Sequence, residues 1–140
     1  MSSNKLGQML SSLTDPSFGI PPDVTFQIMN YNHNQESSGE REEESVEGDI
    51  KGHKVILGMF SPVFKQEFFG PAKEIKDIIP VRQTTFYAFT KMFDYIYQKN
   101  VDWEDLSVLE LYDVVNLAEK YDISGLMDEL KFRWRIFLSK

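Results

Sequence analysis

Residues 52 to 71 read Gly-His-Lys-Val-Ile-Leu-Gly-Met-Phe-Ser-Pro-Val-Phe-Lys-Gln-Glu-Phe-Phe-Gly-Pro, and this stretch restricts the fold more than any other. It reads as two short helices joined by a tight corner. Val55, Ile56, Met59 and Phe60 fall at i, i+1, i+4 and i+5, the spacing of one helical stripe. Ser61 is an N-cap residue and Pro62 suits a first helical position, where a missing N–H costs nothing. Val63, Phe64, Phe68 and Phe69 carry the apolar face onward. Gly70 then Pro71 stops the second helix, with Gly70 expected in the left-handed C′ conformation.

The flanks supply a sheet and more helices. Val24, Phe26 and Ile28 alternate with Thr25 and Gln27, which predicts a half-buried strand over Asp23 to Ile28. Glu47 to Lys51 is expected to return beside it. A third short strand is expected over Ile75 to Val81, with Pro80 placing it at an edge or an end. Phe86, Phe89, Phe93 and Ile96 mark a long helix over Thr84 to Asn100. Ser107 and Glu110 form a capping box for a helix that buries Leu111, Val115 and Ala118 and ends near Tyr121. Ser124 is expected to cap a last helix with Leu126, Leu130 and Trp134 on one side and Phe137 beyond. Ahead of all this, Leu6, Met9, Leu10 and Leu13 sit at i, i+3, i+4 and i+7. That is a short amphipathic helix, too short to stand alone, whose stripe must pack on its own domain or a partner's.

One hundred and forty residues make one domain, able to bury roughly two thirds of its unfolded surface without staples. The net charge of −7 is uneven: from Glu36 to Asp49 there are seven acids and one base, leaving fifteen acids and fourteen bases elsewhere. The folded body is nearly neutral, and no basic cluster is present, so direct nucleic-acid binding is not expected. Residues 30–49 are rich in Asn, Ser, Gly and Glu and read as a disordered acidic insertion in a hairpin. Ser37, with Glu40 three residues on, suits an acid-directed kinase, although a solvated loop explains the same residues. No apolar run approaches a membrane span of about 18 residues. With no cysteine, disulfides and thiolate chemistry are excluded, which points to a cytoplasmic or nuclear protein. The histidines are His33, in the polar insertion, and His53, at the opening of the first corner helix. Two histidines and no cysteine make a poor zinc set, and no nucleophile–base pair or phosphate loop is visible, so neither catalysis, metal nor cofactor is expected.

His53-Lys54, Leu57, Ser61-Pro62-x-Phe64 and Phe68 resemble the signature of the BTB/POZ domain, and the likeness runs from about Asp23 to Leu138. The resemblance implies an α+β fold, a small mixed sheet capped by a cluster of five or so helices, plus an N-terminal helix. It divides the chain into residues 1–22, a dimerisation helix and linker, and 23–140, the domain proper. The insertion at 30–49 is longer than the family's usual hairpin. His53 is expected to be a hydrogen-bonded residue fixing the strand-to-helix corner.

The same resemblance implies a non-enzymatic interaction module that forms homodimers, with Leu6, Met9, Leu10 and Leu13 packing across the partner subunit. Relatives contact a cullin scaffold through a hydrophobic-x-Glu motif after the second signature helix, which here falls on Ala72 and Glu74. This implies an adaptor for a cullin-RING E3 ubiquitin ligase. Ala72 is smaller than the usual anchor, and a Leu- or Met-sized side chain there would bury about 1 to 2 kcal/mol more apolar surface. The alternative is a transcriptional co-regulator that dimerises and recruits corepressors. That branch uses a charged pocket, whose positions here are Asp23 and Lys51; Lys51 stands where the branch has Arg and lacks the planar fork for bidentate bonds.

Overall fold

The computed structural model describes residues 19–30, 45–71 and 76–139. Strand β1 (Val24–Met29) lies between β2 (Val46–Gly52) and β3 (Ile78–Val81). β2 is antiparallel to it, with Phe26 opposite Ile50; β3 is parallel, with Phe26 opposite Ile79. The alternation along β1 does what its spacing predicts: Val24, Phe26 and Ile28 are buried, Thr25 and Gln27 half-buried. Pro80 sits on the edge strand β3, where a missing N–H breaks no ladder.

Helices α1 (Lys54–Phe60) and α2 (Pro62–Phe69) follow β2, and α3 (Phe86–Ile96), α4 (Val108–Lys120) and α5 (Ser124–Leu138) follow β3. A single 3₁₀ turn, Trp103–Asp105, lies between α3 and α4. The helix starts are set by side-chain oxygens. Ser61 Oγ accepts the Phe64 N–H, Thr85 Oγ1 accepts the Ala88 N–H, and Ser107 with Glu110 completes the reciprocal capping box.

The interior is built on rings. Phe26 reaches from the central strand to Phe64 (centroids 5.6 Å apart), Phe89 (5.2 Å) and Phe93 (5.6 Å), and Phe64 stacks on Tyr121 at 4.2 Å. The edge-to-face and tilted pairs suit the ring quadrupoles and bind strand, corner helices and α4 end into one core.

Several details depart from the sequence-based expectations. Val46–Asp49, the last part of the predicted insertion, belongs to β2, because Gly48 and Asp49 pair with Ile28 and Gln27. Residues 31–44 of that insertion, His33 and Ser37 among them, and the helix expected over Leu6–Leu13, lie outside the described residues. Gly70 caps α2 at φ −77°, in extended rather than left-handed backbone. α3 stops at Ile96 and not near Asn100. Gln98 at φ 60° turns the chain, with its N–H on the Tyr95 carbonyl and that of Lys99 on the Asp94 carbonyl. Asp122 at φ 53° ends α4 with the same pair of bonds, to Glu119 and Ala118. Both are Schellman ends with no glycine to announce them. In α4 Leu111 and Ala118 are buried as expected, but Val115 is half-buried and Val114 is buried in its place. Ser124 is the first residue of α5; Ile123 occupies the cap position and gives no side-chain bond.

Candidate functional site

The corner between β2 and α1 is held by His53. Its Nε2 is 2.7 Å from the Ile20 carbonyl and its Nδ1 2.9 Å from the Tyr97 hydroxyl. A carbonyl can only accept, so Nε2 carries the proton and Nδ1 accepts from Tyr97 O–H. The Tyr97 oxygen in turn accepts the His53 backbone N–H at 2.9 Å. Burial pushes the Tyr97 phenol up to about 12, with the His53 N–H working against that shift and Asp23 adding to it. The ring therefore stays a neutral donor throughout the physiological range. His53 is fully used as a structural pin, as expected, and among the described residues no group of three or more His, Cys, Asp or Glu is placed to hold a metal ion.

Ser61 makes the next corner. Its oxygen accepts the Phe64 N–H at 3.1 Å while its own O–H is donated to the Tyr121 carbonyl at the end of α4. The residue is wholly buried. One hydroxyl thus starts α2 and satisfies a carbonyl that the ending of α4 would leave open.

These pins fix the outer face of α1 and α2. The stripe expected from spacing included Val55 and Met59, but the helix is rotated so that Ile56 and Leu57 enter the core. Val55 is 62 % exposed, Met59 68 %, and Phe69 on α2 54 %. Together with Gly58 and Lys65 they line a shallow depression of about 260 Å³. Sequence spacing missed this because Val55-Ile56-Leu57 is apolar on every side; periodicity cannot choose between neighbouring faces of such a run. The signal that could have found it is an excess: the segment holds more apolar residues than one short helix can bury. An exposed apolar face of this kind, edged by a lysine, is the candidate interaction surface on these two helices.

The sequence-predicted positions fall as follows. Asp23 Oδ1 accepts the Lys54 N–H at 2.8 Å, so it caps α1, whose own cap residue His53 gives no side-chain bond. Lys51 is exposed on β2, opposite Thr25, and among the described residues no ion pair joins it to Asp23. Lys54 is paired with Asp77 instead, at 3.2 Å, and its ammonium lies 5.7 Å from the Phe68 ring centroid. Leu6, Met9, Leu10 and Leu13, and Ala72 with Glu74, lie outside the described residues.

The BTB/POZ domain family model matches residues 43–133. Mouse TD and POZ domain-containing protein 2 is 32 % identical over 79 residues, which cover 56 % of this chain and 21 % of that protein, so the match spans about a fifth of that relative's length. Among solved structures, the BTB domain of zebrafish PATZ1 superposes with a TM-score of 0.62 at 16 % identity, covering 100 % of this chain and 97 % of that one. At that identity the likeness speaks for the fold, and the fold is the small mixed sheet with helices described above. The chain belongs to the BTB/POZ domain family, a class of protein–protein interaction and dimerisation modules.

Proposed function

We propose that this protein is a homodimeric adaptor that couples a bound partner to a cullin-RING E3 ubiquitin ligase. The observation that carries the dimer is the outward apolar face of Val55, Met59 and Phe69. A two-fold pairing sets such a face against its own copy. The stripe of Leu6, Met9, Leu10 and Leu13 supplies an amphipathic helix of the kind such a face accepts, donated across the two-fold axis. The cullin contact rests on Ala72 and Glu74, which follow α2 directly in sequence.

Light scattering on the eluting protein is expected to give about twice the 16.3 kDa chain mass, falling when residues 1–20 are removed. A monomer at micromolar concentration defeats the dimer reading. Titration against a cullin N-terminal domain is expected to show binding that Glu74→Lys weakens at least tenfold and Ala72→Leu strengthens about tenfold. Unchanged affinity in Glu74→Lys removes that site. The co-regulator alternative finds less support, because the Asp23 carboxylate is bonded to the start of α1 and, among the described residues, no ion pair joins it to Lys51.

A further inference from the structure

A second groove runs between α4 and α5, with a volume of about 390 Å³. Its floor is apolar: Val115 and Tyr112 from α4; Met127, Leu130 and Trp134 from α5. The contributing positions on α4 are 112, 115 and 119, and on α5 127, 130, 131, 134 and 135. Each is one stripe about two turns long, so the trough extends for roughly 10 to 12 Å. Tyr112 is 58 % exposed, and Trp134, half-buried, stacks on Phe137 at 6.0 Å. Tyr, Trp and Arg are the side chains that anchor protein interfaces, and this trough offers one of each.

The charges along its rims differ. Lys131 and Arg135 stand one turn apart on the α5 side, both exposed, and among the described residues neither forms an ion pair. Glu119 stands on the α4 side. An occupant is therefore held with its acidic flank toward α5. Two carboxylates one helical turn apart match the spacing of Lys131 and Arg135.

We propose that this groove is a docking site for an amphipathic helix of another protein, carrying apolar anchors at i, i+3 and i+7 and acidic residues along one flank. The recognition is the helix-in-groove kind, with apolar burial giving affinity and the rim charges fixing orientation. The site is separate from the Val55–Met59–Phe69 face, so it stands whether or not that face makes a dimer.

The test uses the full chain and a fluorescein-labelled 16-residue helical peptide with leucines at those three positions and two glutamates on one flank. A control peptide replaces both glutamates by lysine. Anisotropy is expected to show the acidic peptide binding at least tenfold more tightly than its control, with the gap shrinking as salt rises. The double change Lys131→Glu and Arg135→Glu, at two exposed positions that leave the core intact, is expected to reverse the preference. Trp134→Ala is expected to weaken the acidic peptide at least tenfold, with circular dichroism checking the fold. Equal binding of both peptides, or binding of neither, overturns the proposal. So does a fall in mass by light scattering in the double variant, because the occupant is then a second copy of this chain.

Discussion

The inner and outer faces of α1 and α2 have the same kind of residues and opposite fates. Ile56, Leu57, Phe64 and Phe68 are at most 5 % exposed, while Val55, Met59 and Phe69, on the same two helices, stay more than half exposed. Hydrophobicity does not separate the two groups; the polar pins do. His53, Ser61 and Asp23 fix where the backbone enters and turns, and that fixes which apolar side chains meet the Phe26 cluster. A few side-chain hydrogen bonds thus divide one apolar segment into a core and an exposed face.

The contrast is tested most severely by truncation on the inner side. Phe64→Ala removes a ring in contact with Phe26, Phe68 and Tyr121. It is expected to cost about 3 to 5 kcal/mol in chemical denaturation, enough to leave much of a marginally stable domain unfolded. A loss below about 1 kcal/mol would mean that this face is not the core. Ser61→Ala comes next. It leaves the Phe64 N–H and the Tyr121 carbonyl without their partner in a site closed to water. The expected loss is about 2 to 3 kcal/mol, with Ser61→Thr recovering part of it if the larger side chain fits.

How much of this was legible in advance depends on the kind of signal. Ser61-Pro62, Ser107 with Glu110, and the alternation in β1 are local rules, and each appears in the structure where the residues placed it. The end of α3 was harder, because Gln98 takes the left-handed conformation that reading from sequence assigns to glycine; Asp122 does the same at the end of α4, which was nonetheless read correctly near Tyr121. The bulge in β2 was not legible at all. Its register passes from Ile28 opposite Gly48 to Met29 opposite Val46, leaving Glu47 to reach the Phe86 N–H. That is a tertiary bond across 39 residues of sequence. For the candidate site, the apolar residues were visible but the rotation that exposes some of them was not. Such a rotation follows from partners distant in sequence, such as Tyr97 for His53 and Tyr121 for Ser61.

A smaller effect concerns the pinned side and pH. That side carries phenols held neutral by burial, Tyr97 at about 12 and Tyr121 also raised. An unfolded tyrosine ionises near 10. Above that pH the unfolded chain has given up protons that the folded chain keeps, so stability is full below pH 10 and falls as pH rises toward 12. Tyr97 contributes on the order of 2 kcal/mol to that fall. Tyr97→Phe is expected to flatten the alkaline limb of a stability–pH curve without abolishing it, since Tyr121 keeps the same sign. A limb as steep in the variant as in the parent would show that Tyr97 does not stay protonated.

The smallest effect on the folded chain, and the most informative for the comparison, is Met59→Glu. At 68 % exposure the methionine gives the core little, so the monomer's stability should change by no more than about 0.5 kcal/mol. Association should respond differently, because a carboxylate repeated across a two-fold axis faces its own copy in an apolar setting. The unfolding midpoint of the parent chain is expected to rise with protein concentration, as mass action requires when the folded form pairs and the unfolded form does not. In Met59→Glu that dependence should vanish, and the two midpoints should converge as both proteins are diluted. If the variant is equally destabilised at every concentration, Met59 belongs to the core after all. If both keep the same concentration dependence, the copies meet elsewhere and this face is left for a different partner.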